Sequence, residues 1–417
     1  MNSLRKTGCL AFIALVLLAE FGCGDYYRPV ANPVVSPGGQ PQTAHFAWVV
    51  NFNPNGAGST TEINVSGDSN MAVNSMGVGS IAEAFPASSL ALFVANSGND
   101  TVSEYLPTLA GAITTISLLS GSHPVFLASS QAGIMYVLNS GANSTCPAGG
   151  SISSIPISTL TVTYTACVGS DPIAMAQSPL NGYIYSVNRG DNTVTVFNPG
   201  GPTTSTITTA DGLGQNPTAV TVSPDGVWIF VATAGDGVHS GTLDIIAAGQ
   251  STIAATAPLG VQPTFAVSDA GRNRLYVANT GDNTVTVYDS SSVNGANSPP
   301  MPLLATVPVG TSPVAITPLT DGSKFYVANT GSNDVTVVSA NSFSPLTSVA
   351  LPAAANPVWI ASDPTASKVY VADQGSGQTT IIQTSNDTVT QNINAPPQDS
   401  TCTSSCVLQQ PVMIVTR

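Results

Sequence analysis

Residues 276–288 read Tyr-Val-Ala-Asn-Thr-Gly-Asp-Asn-Thr-Val-Thr-Val-Tyr, and residues 326–338 read Tyr-Val-Ala-Asn-Thr-Gly-Ser-Asn-Asp-Val-Thr-Val-Val. In both stretches apolar and polar residues alternate on either side of a segment that contains glycine and asparagine. Such alternation is typical of half-buried strands, and glycine and asparagine tolerate the positive φ angles of tight turns. Each stretch therefore predicts a β-hairpin.

The hairpin pattern recurs along most of the chain. Further copies begin at Phe93, Tyr136, Tyr185, Phe230 and Tyr370, and a weaker eighth copy begins at Phe46. Each copy has one residue directly after the apolar run of the first hairpin strand, and successive copies aligned on that residue are 43 to 50 residues apart. The aligned residues are Asn51, Asn96, Asn139, Asn188, Thr233, Asn279, Asn329 and Asp373. A fixed period of this length indicates a repeat architecture rather than several unrelated domains.

A further apolar segment precedes most hairpins and starts at a proline. These prolines are Pro124, Pro172, Pro217, Pro263, Pro313 and Pro357. Proline is tolerated as the first residue of a strand, where its missing N–H costs no ladder hydrogen bond. With a fourth strand after the hairpin, such as 388–393, each repeat becomes a four-stranded antiparallel unit. The sequence therefore predicts an all-β fold, a single β-propeller, with almost no helix.

The two ends of the repeat region complement each other. The copy at Phe46 has a hairpin but no preceding first strand, whereas residues 411–416 form a first strand with no hairpin after it. We expect the C-terminal strand to join the N-terminal blade, because ring closure removes the unpaired edges of an open sheet. The strand count favours eight blades; if the weak N-terminal copy packs outside the ring, the count is seven.

The repeated Tyr-Val-Ala-Asn and Phe-Val-Ala-Asn segments resemble the Tyr-Val-Thr-Asn segment of the YVTN family of β-propeller repeat proteins. The resemblance extends from about Phe46 to the end of the chain. It implies a seven-bladed ring, in conflict with the strand count. It also implies kinship with lactonase-like propellers, which use polar and ionisable side chains in the central channel.

The N-terminal segment has the pattern of an export signal. Arg5 and Lys6 precede an apolar stretch over 8–19, and Cys23 follows Gly22. This arrangement resembles a bacterial lipoprotein signal with Cys23 as the lipidated residue; the alternative is simple secretion with cleavage nearby. A lipid anchor predicts location in the cell envelope, at the outer membrane or the periplasmic face. The expected organisation is a signal peptide over 1–22, a proline-rich tether over 23–44 and a propeller over 45–417.

Four cysteines remain outside the N-terminal segment, and their even number agrees with export. The shortest loops are closed by the pairs Cys146–Cys167 and Cys402–Cys406, which we predict as disulfides. Neither pair has the spacing of zinc ligands, and the three histidines are far apart in sequence. We therefore expect no metal and no cofactor.

The charge pattern limits the classes of partner. Nine Lys and Arg residues stand against 22 Asp and Glu residues, and the basic residues are not clustered. Nucleic-acid binding requires clustered basic side chains that replace the counterions of phosphates, so we expect no nucleic-acid partner. A monomer that binds a protein, a glycan or a small ligand is the expectation that remains.

The residues that precede the strand-opening prolines form the candidate binding site. Equivalent positions in a ring converge on one mouth of the channel, and here they are polar and mostly uncharged. The alternative is ordinary turn chemistry, since short polar residues are favoured before proline. The members of this predicted collar are His123, Asp171, Asn216, Gln262, Ser312, Asn356 and Gln410.

Two functions from different classes follow. The first is a non-catalytic envelope platform whose loops bind a partner. The second is a lactonase-like hydrolase in the channel, for which His123 and Asp171, in neighbouring blades, are the one general acid–base pair that the collar offers. No catalytic residues are predicted. The sequence leaves enzyme activity open and favours the non-catalytic binding role.

Overall fold

The computed structural model describes residues 46–416, apart from 66, 87–88, 108–110, 131, 202, 292, 294–299, 366, 403 and 405. The predicted signal peptide, Cys23 and the tether lie outside the described residues. The described residues form strands and turns, with a three-residue 3-10 helix over Thr209–Asp211. No helix within the described ranges is long and apolar enough to cross a membrane.

The 32 strands have a nearly uniform length because each repeat supplies the same alternating segments. In chain order they are β1 (Phe46–Phe52), β2 (Ala57–Asn64), β3 (Ser69–Val78), β4 (Ser80–Ala84), β5 (Leu92–Asn96), β6 (Thr101–Leu106), β7 (Ala112–Ser117), β8 (Pro124–Ser129), β9 (Ile134–Asn139), β10 (Ser151–Pro156), β11 (Tyr164–Cys167), β12 (Pro172–Gln177), β13 (Ile184–Asn188), β14 (Thr193–Asn198), β15 (Thr203–Ile207), β16 (Pro217–Val222), β17 (Trp228–Thr233), β18 (Ser240–Ala247), β19 (Ile253–Val261), β20 (Pro263–Asp269), β21 (Arg274–Asn279), β22 (Thr284–Asp289), β23 (Leu303–Pro308), β24 (Pro313–Pro318), β25 (Lys324–Asn329), β26 (Asp334–Ser339), β27 (Pro345–Ala350), β28 (Pro357–Ser362), β29 (Lys368–Asp373), β30 (Gln378–Gln383), β31 (Thr388–Asn394) and β32 (Gln410–Thr416).

The strands form eight four-stranded antiparallel sheets, and each sheet is one blade of a propeller. Blades 2 to 8 use consecutive strands, from β4–β7 to β28–β31. Blade 1 has the order β3-β2-β1-β32, so its innermost strand comes from the C-terminal end of the described chain. The predicted eight blades and the predicted closure are both confirmed, and the seven-bladed ring implied by the family resemblance is not observed.

The first strands of the eight blades form an inner ring, since each contacts the first strands of both neighbouring blades. Phe265 of blade 6 and Trp359 of blade 8 meet edge to face, with ring centroids 5.9 Å apart. Blade 7 lies between blades 6 and 8, and its first strand is β24. The two aromatic side chains therefore meet on the side of β24 that faces the central channel. Trp359 also donates a hydrogen bond of 3.0 Å from Nε1 to the carbonyl oxygen of Ile414 in blade 1. Aromatic packing thus fills part of the inner ring.

A buried amide explains the Asn that recurs at the end of six of the eight second strands. Asn279 donates through Nδ2 to the hydroxyl oxygens of Thr284 and Thr286, at 3.0 and 2.8 Å. Its side chain is fully buried, so both bonds are made without competing water. Paired acceptors on the third strand are bound in the same way by Asn51, Asn96, Asn139, Asn188 and Asn329.

The ring has two faces with different chain segments. The loop face is built by the turns between second and third strands and by the connections from one blade to the next. The turns are 53–56, 97–100, 140–150, 189–192, 234–239, 280–283, 330–333 and 374–377; the connections are 79, 118–123, 168–171, 208–216, 262, 309–312, 351–356 and 395–409. The opposite, base face carries the remaining turns, the start of β1 and the end of β32.

Candidate ligand-binding face

The collar residues lie on the loop face, directly before the innermost strands. Six of the seven have φ angles between 44° and 56°, in the left-handed region, and these are His123, Asp171, Asn216, Gln262, Ser312 and Asn356. The exception is Gln410, which lies within β32 and pairs with Phe52. At six blades the residue before the proline therefore adopts the left-handed backbone conformation that leads into the innermost strand.

Hydrogen bonds between blades fix this backbone. The fourth residue of a regular hairpin turn accepts a bond from the N–H of the next blade's collar residue. The four cases are Asp100 with His123 (2.7 Å), Asn192 with Asn216 (2.7 Å), Asn283 with Ser312 (2.8 Å) and Asn333 with Asn356 (2.9 Å). These bonds hold the backbone of four collar residues from the neighbouring blade.

The structure does not join His123 and Asp171 as an acid–base pair. Asp171 Oδ2 accepts a bond of 2.9 Å from Arg189 Nε. His123 Nδ1 lies 3.0 Å from the carbonyl oxygen of Ser97. A carbonyl oxygen can only accept, so Nδ1 carries the hydrogen and Nε2 of a neutral His123 is an acceptor. His123 is exposed and offers that acceptor to solvent or to a partner.

Both predicted disulfides are present, and both lie on the loop face. The first, Cys146–Cys167, ties the eleven-residue turn of blade 3 to the end of β11, the outermost strand of the same blade. Asn143 supports this turn from inside: its Oδ1 accepts bonds of 3.0 Å from the N–H groups of Thr145 and Cys146, and its Nδ2 donates to Ser151 at 3.0 Å. The tip of the turn, residues 144–145 and 147–148, remains exposed.

The second disulfide, Cys402–Cys406, closes the tip of the 395–409 connection. The two sides of this connection pair as an isolated antiparallel bridge between Pro397 and Leu408. Its base is held against blade 1, where Gln398 binds the side chains of Asn53 and Asn55 and Gln409 accepts a bond of 2.7 Å from Ser59. Val407 near the tip is 69% exposed.

Blades 1 and 2 lie between these two loops, and the turn of blade 2 has only four residues, 97–100. Its turn packs closely on neighbouring chain, since a Cβ atom at Gly98 would lie 2.8 Å from Val78 Cγ1. His123 reaches the same region from the other side, next to Gly141 of the blade 3 turn. We name the surface formed by Val78, Gly98, Asn99, Asp100 and His123 the blade 2 recess.

The two faces differ in their cationic side chains. The turns and connections of the loop face contain seven aspartates and one arginine, Arg189. The other described cations, Arg272, Arg274, Lys324 and Lys368, lie at the base face. The loop face therefore presents a negative field that favours electropositive partners.

Blade 5 adds an exposed tip to the loop face. His239 Nδ1 lies 2.6 Å from Asp236 Oδ2, and the backbone N–H groups of His239 and Val238 bind the same carboxylate. Hydrogen bonds from those N–H groups, with the His239 side chain, lower the pKa of Asp236 well below its usual range. The carboxylate thus stays charged, beside Val238, which is 74% exposed.

No group of three or more His, Cys, Asp or Glu side chains is arranged to hold a metal ion among the described residues. A shallow cleft of about 190 Å³, between Tyr183, Asn198 and Gly249, lies away from the collar. Its volume is below the range of roughly 300–1,000 Å³ that is usual for small-molecule sites.

The sequence predicted the collar positions but not the hydrogen bonds between blades that hold the backbone of four of them. The signal was present in the repeat: the turn residue at the fourth position after Asn96, Asn188, Asn279 and Asn329 is always Asp or Asn. Such residues tolerate positive φ and accept bonds from nearby N–H groups. The blade 2 recess could not be predicted, because it depends on which blades are neighbours of the two extended loops.

Comparisons with solved structures agree with the fold. The structure of dihydro-heme d1 dehydrogenase NirN in complex with DHE has a TM-score of 0.68 at 10% identity, over 92% of this chain and 78% of that chain. Apo AztD from Citrobacter koseri has a TM-score of 0.61 at 14% identity, over 90% and 98%. Kuenenia stuttgartiensis hydrazine synthase has a TM-score of 0.51 at 20% identity, over 73% and 98%.

At these identities the likeness establishes the β-propeller fold and no more. No family model matches the chain, and no curated protein matches it. The two disulfides fit an exported protein, because disulfides persist in oxidising compartments.

Proposed function

We propose that this chain is a non-catalytic binding platform of the cell envelope and that its partner binds on the loop face, centred on the blade 2 recess. One observation carries the proposal: two loops on this face are held by disulfides, one in blade 3 and one at the junction of blades 8 and 1, so that they lie on either side of blades 1 and 2. Closed loops lose less conformational entropy on binding, so a disulfide there favours recognition.

The chemistry of the face indicates an electropositive protein segment as the partner. The recess offers Val78 as an apolar contact, 42% exposed, and His123 Nε2 as a hydrogen-bond acceptor. Asp100 belongs to the recess itself, and the other six aspartates of the loop face lie elsewhere around the ring. The lactonase-like alternative has no comparable support, since the carboxylate and imidazole that it requires are engaged by Arg189 and by Ser97.

A site-specific photocrosslinker tests the platform. It is introduced at Asn99, an exposed residue of the recess, in the full chain expressed in its native host. The matched control carries the same group at Asn181, an exposed residue in a base-face turn. We expect a discrete adduct from position 99 that His123→Ala weakens. Equal adducts from both positions, or none from position 99, would contradict the proposal.

The envelope address is a separate part of the proposal. We infer an exported lipoprotein anchored through Cys23, related to the YVTN repeat proteins. The motif around Cys23 and the two disulfides support it. Mass spectrometry of the mature N-terminus checks it: a diacylglycerol-modified Cys23 that is lost in Cys23→Ser is expected, and a mature chain that begins elsewhere without lipid would refute the anchor.

A further inference from the structure

Blade 8 departs from the buried-amide pattern. Asp373 ends its second strand, where six blades have Asn and blade 5 has Thr233. The Asp373 side chain is fully buried, and its Oδ1 has no hydrogen-bond partner among the described residues. An ionised carboxylate in this position would not be compensated for its lost hydration. A neutral carboxylic acid would resemble the amides of the other blades.

Hydrogen bonding at Thr380 fits the neutral form. Its Oγ1 lies within hydrogen-bonding distance of Asp373 Oδ2 and 2.8 Å from Asn392 Oδ1. A hydroxyl group has one proton and can donate to only one of these oxygens. With a proton on Asp373, the carboxyl donates to Thr380 and Thr380 donates to Asn392. In that arrangement Asp373 has the donor role that Asn279 Nδ2 has in blade 6.

The surroundings of Asp373 provide no charge to stabilise an anion. The strands packed against β29 are β28, β30 and β32, and neither they nor β31 contain Asp, Glu, Lys, Arg or His. The same holds for segments 351–356 and 374–377; the charged groups on adjoining elements are Lys368, at the far end of β29, and the exposed Asp399. Burial raises the pKa of Asp373 to about 7, against the lowering effect of hydrogen bonds from Thr380.

Asp373 also lies next to the closure of the ring. It directly precedes the turn 374–377, and the connection 395–409 packs on that turn so closely that a Cβ atom at Gly377 would lie 2.5 Å from Leu408 Cβ. The connection leads straight into β32. We propose that Asp373 is a protonation switch whose ionisation loosens the contact between the blade 8 turn and the disulfide-closed 395–409 loop.

The sign of the effect follows from linkage. In the open state the carboxyl has its ordinary pKa, near 3.8, and in the closed state it stays protonated to higher pH. The closed state therefore loses stability as the pH rises from about 4, and the loss is complete once the pH passes the closed-state pKa. Below about pH 4 the switch is fully closed.

Hydrogen exchange on the full chain measures the switch. After correction for the intrinsic pH dependence of exchange, we expect the opening constant of 374–377 and 396–409 to rise about tenfold between pH 5.5 and pH 8. Asp373→Asn should make it independent of pH, and Asp399→Asn, in the same loop but exposed, should leave the wild-type dependence intact.

A transplant keeps the test decisive if Asp373→Asn folds poorly. Asn139→Asp puts the acid at the equivalent position of blade 3, where the side chain is fully buried beside the hydroxyls of Ser151 and Ser153 and its Oδ1 also has no partner among the described residues. We expect it to create the same pH dependence in the turn 140–150. A wild-type opening constant that does not vary with pH, or a pH dependence that survives in Asp373→Asn, would overturn the proposal, as would an Asn139→Asp variant without the new dependence.

Discussion

The loop face and the base face are made by one repeat, yet they are held together in different ways. At the base face, cationic side chains at the start of second strands reach the next blade: Lys324 binds Asp387 and the Thr384 carbonyl oxygen, and Lys368 binds Asp68 and the Val65 carbonyl oxygen. Arg274 similarly binds the Ala340 carbonyl oxygen and covers the Phe343 ring. At the loop face, short Asn and Asp side chains bind backbone N–H groups instead.

This difference explains where variation is tolerated. The base-face contacts join blades 6, 7, 8 and 1 and depend on long side chains with buried charges. The loop-face bonds need only a turn residue and the N–H of the next blade, so a turn can be lengthened without opening the ring. Blades 3 and 5 and the 395–409 connection use that freedom, whereas the candidate site is centred on the short turn of blade 2.

The largest effect should come from breaking the ion pair between blades 8 and 1. Lys368 is 8% exposed, and Lys368→Met leaves the carboxylate of Asp68 without its partner. A buried ion pair that loses one member typically costs 3–5 kcal/mol, so we expect about 3 kcal/mol in chemical denaturation. The double variant Lys368→Met, Asp68→Leu should recover most of this loss; equal instability of both variants would show that packing, not charge, holds this junction.

A buried acid beneath the loop face should give a pH-dependent effect of about 2 kcal/mol. Asp244 accepts a bond of 2.7 Å from the Gly214 N–H, and burial raises its pKa to about 6. Stability is therefore highest below about pH 4, falls as the pH rises, and has lost this contribution above pH 6. Asp244→Asn keeps the acceptor and removes the ionisation, so its advantage over the wild type should appear at pH 7 and vanish at pH 4 in parallel unfolding curves.

The bonds between blades at the loop face should each contribute about 1 kcal/mol. Asn283 has a φ of 59° and accepts the Ser312 N–H, so Asn283→Gly removes the bond while it preserves the backbone conformation. Asn283→Ala removes the bond and adds the strain of positive φ, which should make it less stable than the glycine variant. Thermal unfolding of the pair checks this order, and a glycine variant as stable as the wild type would mean that the bond contributes nothing.

The fold was predictable because local and long-range signals agree. The Tyr-Val-Ala-Asn hairpins fix strand pairing within a blade, and the spare strand over 411–416 indicates the closure. The site was less predictable. The backbone N–H groups of His123 and Ser312 bind side chains of the preceding blade, and the partners of Asp171 and His123 depend on side-chain directions. A repeat pattern specifies neither, because it describes what the blades share.

The smallest effect tests whether every base-face cation stabilises the ring. Arg272 donates from Nη1 to Asn341 Oδ1 at 2.7 Å, but this contact is exposed. Exposed polar contacts of charged side chains are worth little, so Arg272→Met should change the free energy of unfolding by no more than about 0.5 kcal/mol. A loss comparable to that of Lys368→Met would mean that position at the base face, rather than burial, sets the contribution. The two faces would then differ in the charge of their side chains and not in how deeply those charges are buried. The aspartates of the loop face would then also be expected to have a structural role.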